Sequence, residues 1–176
     1  MSATGLDVFD KSIQTTNIWL DEIMAEVGPD RQTAWHVLGV ILRALRDRIP
    51  AGLGIHLGSQ LPLVVRGAFY DQYTQQAEPL KLRSQDEFLS YVQERFGDIR
   101  PVNPRNAVIA VFNVLSRHLP RGQSVKVRDA LPDDVKVLWK LDEAAEQSVE
   151  DQAAKGKAAQ NAQESRTFQA RRQGQR

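Results

Sequence analysis

The chain has 176 residues, 23 Lys+Arg against 22 Asp+Glu, 41% hydrophobic residues and no cysteine. This is the composition of one globular domain, or of one domain with a tail, and a net charge of +1 makes no field that selects nucleic acid or acidic lipid. The missing cysteine excludes disulfides, zinc knuckles, iron–sulfur clusters and thiol nucleophiles, and no segment reaches the roughly 18 apolar residues of a membrane span. MSATGLDVFDKS carries no basic region followed by an apolar run, so the expected location is the cytoplasm.

Along the chain, Phe9, Ile13, Thr16, Leu20, Ile23 and Val27 are spaced 4, 3, 4, 3, 4, which predicts a helix with those side chains on its buried face. Gly28-Pro29 stops it, glycine taking the left-handed cap and proline refusing to continue. A second helix is predicted from near Arg31, with Ala34, Val37, Leu38, Ile41, Leu42, Leu45 and Ile49 inward and Arg43, Arg46 and Asp47 outward, ending before Pro50. The glycines of AGLGIHLGSQ (51–60) read as a connector, after which Pro62 occupies the first turn of a helix whose apolar face is Val64, Val65, Ala68 and Phe69.

Ser84 with Glu87 ahead of Phe88-Leu89 is a capping box, predicting a helix from Ser84 that ends by Gly97. Pro101 and Pro104 open the next, through Val108, Val111, Phe112, Leu115 and Leu119. The last begins at Pro132, with Asp133 and Asp134 facing the positive end of its dipole. No stretch alternates with period two between hairpin signals, so the expected fold class is all-α.

A shift of 70 residues lays IPAG (49–52) on LPRG (119–122), Leu61-Pro62 on Leu131-Pro132, Leu42 on Phe112, Leu45 on Leu115 and Phe69 on Trp139. Upstream, a shift of 69 lays Trp19-Leu20 on Phe88-Leu89 and Gly28 on Gly97. The expectation is two tandem helical repeats of about seventy residues, 7–75 and 83–140, packed as one bundle over residues 1–140. From Leu141 to Arg176 the large apolar residues are Leu141, Val149 and Phe168 alone, too few to offset ordering entropy, so 141–176 reads as a disordered or transiently helical tail. Its charge is blocked: five acids and no base over 142–151, then Arg166, Arg171, Arg172 and Arg176 against Glu164.

VFDKSIQTTNIWLDEI (8–23), LRALRDRIPAG (42–52), HLGSQLPLVVRGAFYDQY (56–73), RSQDEFLSYV (83–92) and ALPDDVKVLW (130–139) closely resemble a widespread bacterial family, domain of unknown function 2267. The resemblance spans roughly residues 7–140. It implies a compact, duplicated helical domain of a bacterial cytosolic protein, and it implies no activity and no functional residues.

Chemistry finds little foothold. His36, His56 and His118 lack the Glu-x-x-His and His-x-x-x-His spacings of helical metal sites. Gly52, Gly54 and Gly58 have neither the preceding strand nor the Lys-Ser/Thr ending of a phosphate loop, and Ser59 is not in a Gly-x-Ser-x-Gly elbow. Glu22 and Glu26 fall on the solvated face of their helix, away from the burial a catalytic carboxylate needs. No catalytic residue, metal or cofactor is therefore expected.

What remains is binding. Tyr70 and Tyr73, three apart, with Arg66 on the same helix, form the candidate partner-binding set, aromatic and Arg side chains being enriched at interfaces. The expected function is a non-catalytic helical module that binds a protein partner. The alternatives are nucleic-acid binding, with Arg166, Arg171, Arg172 and Arg176 as polyanion contacts, and a small-ligand carrier or enzyme with its site between the repeats. Over 1–140, 17 basic and 16 acidic residues make a balanced rather than a basic surface, which disfavours nucleic acid.

Overall fold

A computed structural model describes residues 4–74, 78–97 and 101–141, and among these residues it has eight helices: α1 (Asp7–Val27), α2 (Arg31–Arg48), α3 (Ala51–Gln60), α4 (Leu63–Tyr70), α5 (Gln85–Phe96), α6 (Pro104–His118), α7 (Arg121–Asp129) and α8 (Asp133–Lys136). No strand occurs among the described residues, so the fold is all-α. No helix among them is long and apolar enough to cross a membrane. The chain divides into Met1–Lys140 and Leu141–Arg176. The tail expectation, and with it Arg166, Arg171, Arg172 and Arg176, lies outside the described residues.

Helix starts follow from local chemistry. Asp30 accepts the Gln32 and Thr33 amides at 3.3 and 3.0 Å at the head of α2. Ser84 and Glu87 close the expected capping box, Ser84 Oγ accepting the Glu87 amide at 3.1 Å and Glu87 Oε2 accepting the Ser84 amide at 3.2 Å. Asn103 caps α6 through the Asn106 amide, with Pro104 at its first position. Pro50, Pro62, Pro120 and Pro132 each stand one residue before a helix, at the N-cap rather than inside the first turn.

The core lies between α2 and α6. Both are buried nearly all round, because α2 packs on α1, α3, α4, α5 and α6, and α6 on α1, α2, α5 and α7. Val37, Leu38, Ile41, Leu42 and Leu45 on α2 are completely buried, as are Val108, Val111, Phe112 and Leu115 on α6. Phe112 stacks on Trp139 with ring centroids 4.4 Å apart, sealing the α8 end. The central helices are thus wrapped by α1 and α5, while α3 and α7 pack on each other.

Three expectations are corrected. Arg46 is not on the outer face: it is 7% exposed, because its guanidinium turns to the end of α4, where NH1 donates to the Phe69 and Asp71 carbonyls at 2.5 and 2.9 Å. Phe9 and Ile13 are 45% and 44% exposed, because the buried face of α1 is set by Ser12, Thr16, Trp19, Leu20 and Ile23 instead. The segment 51–60 is helix α3, and 121–129 is a further helix, α7, that periodicity did not mark. Glycine costs an exposed helix about 1 kcal/mol relative to alanine, but Gly58 makes room for the Tyr70 ring, which a Cβ at that position would overlap and displace.

Candidate functional site

Two concavities bear on function. The first is a recess of about 500 Å3 walled by Val8, Lys11, Ser12, Thr15 and Trp19 of α1, by Ser59–Leu63 around the α3–α4 turn, by Arg66 of α4 and by His118 of α6. Val8, Ser12, Thr15 and Trp19 are spaced 4, 3 and 4, with Lys11 beside Ser12, which brings one helical face to the cleft. Val64 anchors the neighbouring wall, its amide donating to Ser12 Oγ at 3.1 Å. The second is an open groove of about 490 Å3 between α2 and α4, lined by Trp35, His36, Gly39, Arg43, Val64 and Asp71 among others.

The recess is rich in donors and its lining contains no carboxylate. Arg66 NH2 donates to the Ser59 and Leu61 carbonyls at 3.0 and 3.1 Å, closing the C-terminal end of α3. Its Nε, buried, has no partner among the described residues, and the same is true of Trp19 Nε1. Trp19 is 1% exposed, and its ring lies 5.5 Å from that of His118.

Behind the recess sits an ion-pair cluster that the sequence did not announce. Glu22 Oε1 accepts from His118 Nε2 at 2.6 Å, and Oε2 accepts from Arg117 NH1 at 2.9 Å. Glu22, expected on a solvated face, instead ties α1 to α6 across about 95 residues of sequence. Burial pushes its carboxyl upward, but the hydrogen bonds from His118 and Arg117, and their charges, outweigh this and hold it below the usual carboxylate range. An ionised carboxylate only accepts, so His118 carries its proton on Nε2. Among the described residues, His118 is thus engaged with a carboxylate and not with a hydroxyl nucleophile.

Of the three candidate partner-binding residues, Tyr70 and Tyr73 meet edge-on with ring centroids 6.0 Å apart, while Arg66 lines the recess and braces α3. Tyr70 lies over Gly58, half-buried, with its ring edge-on to Phe69 at 5.0 Å. Tyr73, 40% exposed, has the Arg46 guanidinium 5.1 Å from its ring centre. His36 meets the Arg95 carbonyl at 3.3 Å and His56 is exposed; no group of three His, Asp or Glu side chains that could hold a metal occurs among the described residues. Sequence reasoning missed Trp19 and His118 as site residues, since their meeting depends on α1 packing against α6.

No curated protein matches the chain. A family model described as an uncharacterized conserved protein, DUF2267, matches residues 16–138, from the middle of α1 past the end of α8. With the greater part of its length covered, from Thr16 to Leu138, the chain belongs to the DUF2267 family.

Proposed function

We propose that this is a non-catalytic helical module of the bacterial cytosol that binds a protein partner through the face shared by α1 and α4. One observation carries the reading: the first turns of α1 present Phe9 and Ile13, and the start of α4 presents Val64, as large exposed apolar side chains. Val64 is held against α1 by its hydrogen bond to Ser12, and it lines the same groove as the part-exposed Trp35. Clustered exposed apolar groups are costly in water and mark interaction surfaces more often than isolated ones do. A partner segment with an apolar stripe would cover them, as an amphipathic helix covers a groove.

The test compares wild type with Phe9→Glu and Ile13→Glu, both exposed and so expected to fold, as baits in a lysate. Wild type should retain a partner that both variants lose. Retention by the variants equal to wild type, or no retention by wild type, overturns the reading.

We also infer that the two halves are tandem repeats. The packing of α1 on α6 is matched by that of α5 on α2, and that of α1 on α4 by α5 on α8. The position of Arg46, whose guanidinium donates to Phe69, corresponds to Ser116, whose hydroxyl accepts from Trp139 Nε1 at 2.7 Å. The same two positions meet in each half with different chemistry, as expected of copies that diverged while retaining their packing.

A further inference from the structure

We propose that the recess between α1, the α3–α4 turn and α6 binds a small organic carboxylate with an apolar body. The proposal goes beyond partner docking and uses different side chains. Its charge complement is plain: Lys11 and Arg66 line the recess and no carboxylate does, and Glu22, the partner of the lining residue His118, already accepts from Arg117 and His118. Lys11 is exposed and Arg66 partly so, which places positive charge at the mouth and along the wall.

The second observation is independent of charge. Trp19 Nε1 and Arg66 Nε are buried donors with neither a partner among the described residues nor access to bulk water, and each such orphan costs about 1–3 kcal/mol. Orphan donors are rare in folded proteins, and two residues lining one recess both carry them. An anionic acceptor that enters the recess and reaches these two atoms would satisfy them.

The body of the ligand follows from the rest of the lining. Val8, Leu61, Pro62 and Leu63 give hydrocarbon surface beside the donors, and the volume of about 500 Å3 lies within the range of small-molecule sites. A carboxylate on a hydrocarbon chain fits that division. Inorganic phosphate would match the donors and leave the apolar wall unused.

Octanoate is the probe, with 1-octanol and inorganic phosphate as comparison arms, all titrated into the full-length protein and followed by the Trp19 indole N–H and Leu63 amide resonances. The expected result is a saturable shift of both signals with octanoate, and much weaker effects from the other two. Trp19→Phe removes the donor and keeps a ring, and should weaken octanoate about tenfold, read at Leu63. Lys11→Gln, an exposed change that leaves the fold intact, should weaken it severalfold, while Lys81→Gln outside the recess should not. Equal shifts with phosphate would mean an adventitious ion only, and equal shifts with octanol an apolar cleft without anion recognition. Either result, or no saturable shift, or affinity unchanged in both Trp19→Phe and Lys11→Gln, overturns the proposal.

Discussion

Arg46 shows how one side chain holds two helices together. Its Nε and NH2 meet the Asp47 carboxylate at 2.6 and 3.1 Å, and its NH1 satisfies the carbonyls of Phe69 and Asp71, which the end of α4 leaves without helical partners. Removing the guanidinium strands both the largely buried Asp47 charge and those carbonyls, so Arg46→Met should cost about 3 kcal/mol in urea denaturation. Arg46→Lys keeps the charge but loses the planar fork, and should recover only part of the loss. An unchanged midpoint for Arg46→Met would remove it from the folding account.

Glu22 makes a second residue-scale prediction. Its folded-state carboxyl is depressed below the unfolded value, so its contribution is complete above the unfolded value and is lost as pH falls through the folded one. The cluster is partly open to water, which keeps its worth to about 1 kcal/mol or less. Glu22→Gln should therefore be slightly less stable than wild type at neutral pH and should converge with it in acid. A gap that widens toward acid would contradict the assignment. None of this was legible locally, since Glu22 looked like any charge on a polar face until α6 packed across it.

At the scale of the element, α3 is the instructive case. Three glycines made 51–60 read as a connector, and two of them behave as the propensity scale says, with nothing near where a Cβ would stand at Gly52 or Gly54. Gly52→Ala should stabilise the protein by about 0.5–1 kcal/mol, because the helix already exists and alanine restricts the unfolded chain. Gly58→Ala should do the reverse and cost about 1–3 kcal/mol by driving a methyl into the Tyr70 ring. Thermal melts of the two variants would shift in opposite directions, and matching shifts would refute the close contact. The capping box at Ser84, by contrast, was legible from four residues, because both of its hydrogen bonds are made within one turn.

The whole molecule is organised by exchange: α1 lies on α6 and α5 on α2, so neither half buries its own core alone. Unfolding should consequently be one transition. Denaturation of the wild-type protein followed by helical circular dichroism and, in the same samples, by the resolved indole N–H resonances of Trp19 and Trp139 should give coincident curves. Separate transitions would indicate halves that fold independently.

The sequence by itself determined the helical class, the starts of α2, α5 and α6, and the burial of the central stripes on α2 and α6, because turn chemistry and helical period are local and need no partner to operate. Only tertiary structure decided which arginine is buried, which glycine lies against an aromatic ring, and that the α1 stripe stops short of Phe9 and Ile13. It also decided that Lys11, Trp19, Arg66 and His118 share one recess. Each of those facts depends on which helix lies across which, and the contacts that settle it join residues on different helices that no local pattern records.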